Sequence, residues 1–348
     1  MVKMTKKLII VVGLLMCVIC TLTAQRLEIL GAGATFPYPL YSKMFDEYSR
    51  VGDRVNYQAI GSGGGINQLT AMTVDFGGTD AIVSSDVEAT TGNTILHVPT
   101  CLGAVVVTYN LQLPDNVKLR FTADVIADIF LGNISSWNDI RIRQINPDVN
   151  IPNRPITVVY RSDGSGTTNI FTEYLEKTNQ KWATSVGSGT AIRWPAGIGA
   201  RGNPGVSAFV QQTPGAIGYV ELVYALSNNM PYGDVQNKAG NFITPTIESV
   251  TIAANVDIPA DTKVSLTDTD AELGYPLSSF TWIILFKEQS YNNRPIEKAN
   301  ATVNLVRWMI TDGQTFASAL HYAPLPEAAK QRGLALLQSI TYNGQVLR

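Results

Sequence analysis

The segment Leu27-Glu-Ile-Leu-Gly-Ala-Gly-Ala-Thr-Phe36 contains the unit that decides the fold, a short strand followed by a glycine-containing turn. Helical spacing begins directly after the turn, because apolar side chains of residues 37–50 recur every three or four positions. Strand-like and helix-like patterns alternate in the same way along most of the chain, which favours layered α/β structure. We therefore predict an α/β fold, and a length of 348 residues suggests two domains.

The two periodicities place further elements along the chain. The predicted strands cover residues 55–60, 105–110, 155–160, 216–221 and 279–286, and the predicted helices cover residues 122–131, 165–177, 299–311 and 327–339. Residues 228–272 are rich in Asn, Asp, Thr and Pro and follow neither periodicity, so their structure is not predicted.

Four turns, far apart in the sequence, are rich in backbone N–H groups and hydroxyls. They occupy residues 31–36, 61–65, 78–80 and 161–168, each where an apolar run passes into a helical pattern. A helix N-terminus leaves backbone N–H groups unpaired and carries a partial positive charge, so it stabilises an anion without any basic residue. One glycine-rich turn is more often structural than functional, but four in one chain indicate a site for a small oxyanion.

Arg161 follows a predicted strand directly and lies two residues before Asp163. A guanidinium at that position can donate two hydrogen bonds to an oxyanion, with the carboxylate holding it in place. The same spacing also fits a surface ion pair, which contributes little to stability. The residues by themselves leave both interpretations open.

Asp80 is the carboxylate of the third turn. A carboxylate beside an anion weakens binding unless the anion can donate a proton to it. Phosphate retains a proton near neutral pH and sulfate does not, so Asp80 would select against sulfate. The alternative is that Asp80 only caps a turn.

The N-terminus has the pattern of an export signal. Three lysines precede an apolar run over residues 8–19, and small or polar residues follow up to Ala24. This pattern predicts a signal peptide over residues 1–24, cleaved after Ala24. An uncleaved anchor helix, or a lipid attached to Cys17 or Cys20, are the alternatives.

The composition argues against several classes of function. Without residues 1–24, which hold three lysines and no acidic residue, 23 basic residues face 28 acidic ones and the formal net charge is −5. Nucleic acid binding needs a basic surface, so no nucleic acid partner is expected. His97 and His321 lie in unrelated contexts and predict no metal site, and the sequence contains no P-loop motif. Cys101 is the only cysteine after residue 24, and its apolar neighbours predict that it is buried.

Taken together, the motifs resemble the periplasmic phosphate-binding protein of ABC-type phosphate uptake systems. Each segment alone is common, whereas their combination is specific, and the similarity extends over nearly the whole chain after residue 24. The matching segments are residues 31–37, 56–65, 74–81, 131–137, 163–167 and 215–221.

The resemblance implies the type II periplasmic binding protein fold, in which two α/β lobes are joined by two crossing strands that act as a hinge. Lobe one would contain residues 25–107 and 274–348, and lobe two residues 108–273. The strands would cross near residues 105–110 and 275–282. A ligand between the lobes would be buried by hinge closure, as in other periplasmic binding proteins.

The resemblance also implies which residues contact phosphate. They are Thr35, Phe36, Ser62, Asp80, Arg161, Ser165, Gly166 and Thr167, with Asp163 orienting the guanidinium of Arg161. Asp80 would accept the phosphate proton, and the other groups would donate hydrogen bonds.

The function implied by the resemblance is phosphate binding without cofactor or catalysis, by a monomer that delivers phosphate to an ABC permease of the inner membrane. Two other classes of function remain open. A phosphate-responsive sensor or scaffold would use the same binding to set a conformation. A phosphohydrolase would need Ser62 or Ser165 as nucleophile together with a metal or a basic partner, and the sequence offers no clear candidate for either.

Overall fold

A computed structural model of the protein describes residues 26–114 and 117–347. The predicted signal peptide and its cleavage site lie outside these residues. Within them, no helix has the length and apolar character needed to cross a membrane.

Strands and helices alternate along much of the described chain. The strands are β1 (Glu28–Gly33), β2 (Arg54–Ala59), β3 (Phe76–Thr79), β4 (Ile95–Tyr109), β5 (Arg120–Phe121), β6 (Thr157–Arg161), β7 (Ile198–Ala200), β8 (Ala216–Glu221), β9 (Asp234–Gln236), β10 (Phe242–Ile243), β11 (Ser278–Phe286), β12 (Thr341–Tyr342) and β13 (Gln345–Val346). The helices are α1 (Tyr38–Val51), α2 (Ser62–Thr70), α3 (Ser85–Thr91), α4 (Ala123–Phe130), α5 (Ile140–Ile145), α6 (Gly166–Thr178), α7 (Gln180–Ser185), α8 (Gly202–Gln212), α9 (Leu222–Ser227), α10 (Ile247–Ala253), α11 (Ile296–Met309) and α12 (Glu327–Gln338). Short 3₁₀ turns occupy Tyr291–Asn293, Asp312–Phe316 and Ser318–Leu320.

One mixed sheet of eight strands runs through both lobes of the molecule. Its strand order is β2-β1-β3-β11-β4-β8-β6-β7. Strands β1, β2 and β3 are parallel at one end, and β6, β7 and β8 are parallel at the other. The two sets are separated by the antiparallel strands β11 and β4. The fold is thus the two-lobed α/β arrangement that the resemblance implied.

Strand β4 connects the lobes. Residues up to Ala104 pair with β11, whereas Val105 and the residues after it pair with β8. The chain also passes between the lobes near Leu277, whose carbonyl accepts a hydrogen bond from Val105 N–H (2.9 Å). We therefore propose to place both lobe boundaries at this change of partner, within a few residues of those suggested by the sequence.

All fifteen residues of β4 are buried, but only its last third was predicted as a strand. The part that was not predicted contains Pro99 and Gly103, residue types that normally argue against a central strand. The pairing register shifts between Thr281 and Trp282, whose partners are Cys101 and Pro99, so the proline lies beside a bulge, a position where strands tolerate it.

The segment that the sequence left unassigned contains β9, β10 and α10, followed by a polar loop that contacts both lobes. In this loop Thr262 Oγ1 donates to the carbonyl of His97 in lobe one (2.5 Å). Five residues later, Thr267 Oγ1 accepts from Lys177 Nζ on α6 of lobe two (2.7 Å). The polar side chains of the loop are used for specific hydrogen bonds, which leave no periodic pattern in the sequence.

The fold brings the predicted turns together. Strands β1 and β3 are parallel and end at the same edge of the sheet, so the turns that follow them lie together. The turn that follows β6 meets them from the other lobe, where the carbonyl of Gly164 accepts a hydrogen bond from Gly63 N–H. Helix α1 begins just after the first of these turns, and helices α2 and α6 begin within two of the others. The turn that precedes α1 depends on Gly33. Its φ of +146° and its contact with the backbone of Gly78 leave no room for a side chain at this position.

Candidate functional site

Lobe one contributes four of the predicted residues, all buried. Thr35 and Phe36 lie between β1 and α1, Ser62 begins α2, and Asp80 follows β3. Ser62 Oγ lies 3.3 Å from Asp80 Oδ2 and accepts a hydrogen bond from Asp80 N–H at 3.2 Å. The structure therefore places one carboxylate directly against the hydroxyl and helix N-terminus of α2.

Asp80 has few polar contacts for a buried carboxylate. Thr281 Oγ1 donates to Asp80 Oδ1 at 2.6 Å, from a position 201 residues away on β11. Burial raises the pKa of Asp80 to about 7, against the opposing effects of the Thr281 hydrogen bond, the Arg161 charge and the Ser62 hydroxyl. Asp80 therefore gains or loses its proton near neutral pH.

Lobe two contributes the cation. Arg161 is the last residue of β6, and its guanidinium donates to Asp163 through Nε (2.8 Å) and Nη2 (2.6 Å). Its Nη1 donates to Thr167 Oγ1 at 3.2 Å. The Arg161 side chain is only 1% exposed, so the pair is not the surface ion pair that the sequence also allowed. Burial favours the neutral form of Asp163, but the Arg161 guanidinium outweighs it and lowers the pKa of Asp163.

The start of helix α6 completes this half of the site. Ser165 Oγ accepts a hydrogen bond from Thr168 N–H at 3.0 Å and so acts as the N-cap that its position predicts. A Cβ atom on Gly166 would lie 2.5 Å from Asp80 Cβ and 2.6 Å from Ser62 Oγ. Glycine is required here because any larger residue would push the two lobes apart.

The lobes are in contact over the site. Gly63 N–H donates to the carbonyl of Gly164 at 2.9 Å, and Tyr224 Oη of lobe two donates to the carbonyl of Thr35 at 2.6 Å. Every residue predicted to bind phosphate lies in this enclosed region, including Thr167 on α6. The structure thus brings the predicted set together, with donors from both lobes around the buried carboxylate of Asp80.

Sequence reasoning missed two residues of the site. Thr281 carries no local signal, because it lies in an ordinary buried strand and meets Asp80 only through the pairing of β11 with β3. Asn203 follows Gly202 at the start of α8, and its side chain reaches Thr35 and Thr167. The turn Arg201-Gly-Asn-Pro-Gly205 resembles the four turns that were recognised, and this similarity was the available signal.

The described residues contain no cluster of His, Cys, Asp and Glu suited to a metal ion. His97 is buried, and its Nε2 accepts a hydrogen bond from Val83 N–H at 3.0 Å. Burial and the Lys263 charge lower the pKa of His97 to about 3, so this ring is neutral. Cys101 is a free, buried thiol, as its apolar neighbours predicted.

Two α/β lobes that share strand β4 and close over a polar site define the class of periplasmic substrate-binding proteins. The PBP superfamily domain matches residues 21–312. The chain is 42% identical over 306 residues to the phosphate-binding protein PstS of Xylella fastidiosa (strain 9a5c), with 87% of this chain and 82% of that protein covered. It is 40% identical over 315 residues to PstS of Pasteurella multocida (strain Pm70), with 89% and 90% covered. The chain belongs to the PstS family of phosphate-binding proteins.

Solved structures agree on the fold. A high-affinity periplasmic phosphate-binding protein, PfluDING, solved with bound phosphate, superimposes with a TM-score of 0.70. Its sequence identity is 23%, and the match covers 89% of this chain and 93% of that protein. At this identity the likeness establishes the arrangement of the lobes and leaves the ligand to be argued from the site.

Proposed function

We propose that the protein binds inorganic phosphate between its lobes and delivers it to an ABC permease. The observation that carries the proposal is the position of Asp80, a buried acceptor within hydrogen-bond distance of the Ser62 hydroxyl in a site otherwise made of donors. Arg161, the hydroxyls and the helix N-termini stabilise a small oxyanion. Membership of the PstS family supports the same ligand.

A single acceptor among donors suits an anion that still carries a proton. Phosphate can donate its O–H to the Asp80 carboxylate, so that both charges are compensated. Sulfate has no proton, and its oxygens would face the carboxylate directly. We therefore assign to Asp80 the discrimination between the two anions, and to the donors the binding of the remaining oxygens.

Transport follows from closure of the lobes. The donors of Thr35 and Ser62 belong to lobe one and those of Arg161 and Thr167 to lobe two, so a bound anion interacts fully only with the closed state. Binding must therefore shift the population toward closure. In this proposal the closed monomer is the form that the permease recognises.

Titration calorimetry with phosphate and with sulfate, combined with small-angle scattering, tests this function. We expect phosphate to bind, sulfate to fail to compete, and the radius of gyration to fall when phosphate is added. Identical scattering curves, with binding confirmed by the titration, would instead indicate a rigid pocket. Absence of phosphate binding would overturn the proposal itself.

The protein acts as a binder and not as an enzyme in this proposal. Ser165 Oγ, one of the two candidate nucleophiles, is already used to cap α6. Sustained hydrolysis of a phosphate ester by the purified protein would contradict this part of the proposal.

Export across the inner membrane to the periplasm is the corresponding location. We expect the exported protein to begin near Gln25, because the basic start and apolar run of residues 1–24 fit a cleaved signal peptide. Intact-mass measurement decides the point. A retained N-terminus, or a lipid on Cys17 or Cys20, would show a membrane-anchored form instead.

A further inference from the structure

Asn203 occupies a central position between the lobes. It lies on the first turn of α8 and is fully buried. Its side-chain Nδ2 lies 3.0 Å from Thr35 Oγ1 in lobe one and 3.1 Å from Thr167 Oγ1 in lobe two. Its backbone N–H also points at Thr35 Oγ1, at 3.2 Å.

The hydrogen bond with Glu221 determines the orientation of the Asn203 side-chain amide. Its Oδ1 accepts a hydrogen bond from the backbone N–H of Glu221 at 3.0 Å. A backbone N–H can only donate, so the atom facing Glu221 must be the oxygen. The NH₂ group of Asn203 must therefore face the two threonines and donate to them.

Because of these donations, each threonine hydroxyl can form a further hydrogen bond only as a donor. A hydroxyl has two acceptor lone pairs and one O–H donor. Thr35 Oγ1 accepts from the backbone N–H and the side-chain Nδ2 of Asn203. Thr167 Oγ1 accepts from Asn203 Nδ2 and from Arg161 Nη1, at 3.2 Å. Among residues 26–114 and 117–347, no protein group accepts a hydrogen bond from either hydroxyl.

We propose that Asn203 is a positioning residue that makes the Thr35 and Thr167 hydroxyls donors to the bound anion and joins the two lobes when they close. The inference rests on the proposed phosphate function. An oxyanion needs donors on most of its oxygens, and a freely rotating hydroxyl offers an acceptor as readily as a donor. With both lone pairs engaged, each hydroxyl presents its O–H without reorientation. Because the two hydroxyls come from opposite lobes, this arrangement exists only in the closed state.

The test is a mutant cycle on phosphate affinity, measured by calorimetry. Asn203→Ala is expected to weaken phosphate binding roughly 10- to 100-fold, because the two threonine hydroxyls would no longer be held as donors to the anion. In a Thr35→Val/Thr167→Val background the same substitution is expected to change affinity less than about threefold, because the hydroxyls on which Asn203 acts are gone. An equal loss in both backgrounds, or no loss in the wild-type background, would overturn the inference.

A matched control separates positioning from stability. Asn179 is another buried asparagine of lobe two, and it caps α7 by accepting from Trp182 N–H at 2.9 Å. Asn179→Ala should lower the melting temperature and leave phosphate affinity unchanged. If it lowers affinity as much as Asn203→Ala does, the effect of Asn203 is a general loss of stability and the inference fails.

Two further variants keep the test decisive if one of the proteins binds phosphate too weakly to measure or does not fold. If the double threonine variant does not bind millimolar phosphate, Thr35→Val alone replaces it, and the Asn203 effect should then fall to about half on a logarithmic scale. If Asn203→Ala does not fold, Asn203→Ser, which adds no charge beside the anion, enters the same cycle. Wild-type protein that binds no phosphate would refute the proposed function, whereas wild-type binding without coupling would refute only the role of Asn203.

Discussion

Replacing Arg161 by alanine is expected to weaken phosphate binding by roughly 100-fold or more, since charge-assisted hydrogen bonds contribute about 1.5–3 kcal/mol each and a guanidinium can supply two. The side chain is buried, so water cannot replace it easily. The loss should exceed that of the bonds alone, because Asp163 would remain beside the anion as an uncompensated charge. Calorimetric titration of the variant, beside a thermal melt of the ligand-free protein, measures both effects.

Two further variants identify the cause of the Arg161 effect. Arg141 pairs with Asp128 and Asp139 but is 40% exposed and lies outside the site, so Arg141→Ala should leave phosphate affinity unchanged. Adding Asp163→Asn to Arg161→Ala should recover part of the affinity, because it removes the uncompensated charge. Unchanged affinity in Arg161→Ala, with the fold intact, would remove Arg161 from the binding site.

Replacing Asp80 by asparagine should admit sulfate while largely preserving phosphate binding. An ionised carboxylate only accepts hydrogen bonds, whereas an asparagine amide can also donate. Pressing a carboxylate against an unprotonated anion in a buried site typically costs several kcal/mol. The variant should therefore gain sulfate affinity by a factor of about 100 or more, with arsenate and phosphate changing together because both carry a proton. Competition titrations with the three anions measure this selectivity.

The pH dependence provides an independent check on Asp80. Its pKa of about 7 means that, as pH falls through this value, the ligand-free protein gains a proton on Asp80 and the group becomes a donor. Sulfate, which stays fully ionised, should therefore compete better at pH 6 than at pH 8. The raised pKa also means that Asp80 lowers the free energy of unfolding as pH rises from about 4 to 7, a loss that Asp80→Asn should not show.

The variant Asp80→Asn is also the control for the pH dependence of sulfate binding. Glu221 is a second buried carboxyl near the site, and burial raises its pKa well above the usual range. If sulfate binding still depends on pH in Asp80→Asn, then Glu221 or another group is responsible. If sulfate stays excluded from a folded variant that binds phosphate, discrimination must come from the geometry of the donors.

The candidate site was largely predictable because its parts are local in sequence. A strand, a glycine turn and a helix start follow one another within a few residues, so Ser62 and Ser165 could be placed at helix N-termini from pattern alone. The partnership of Arg161 with Asp163 is also local, spanning two positions. That the four turns meet in one site was suggested by their number and by the family resemblance.

Other features were not predictable because they depend on chain segments that are far apart. Strand β4 continues through Pro99 beside a bulge against β11, and that bulge arises only from the pairing of two distant segments. The polar loop near Thr262 is ordered by hydrogen bonds to side chains and carbonyls of both lobes, which no periodicity records.

By itself, the sequence of this protein determined the α/β alternation, the helix starts that present N–H groups, and the residue types that can hold a protonated oxyanion. These depend on hydrophobic period and capping, which act over a few residues. Only the tertiary structure decided that the Arg161–Asp163 pair is buried, that Thr281 meets Asp80 across 201 residues, and that Asn203 meets Thr35 across 168. Burial and long-range hydrogen bonds arise only when distant segments pack. They determine the charge state of an ionisable side chain and whether a hydroxyl donates or accepts a hydrogen bond, which the residue type alone does not.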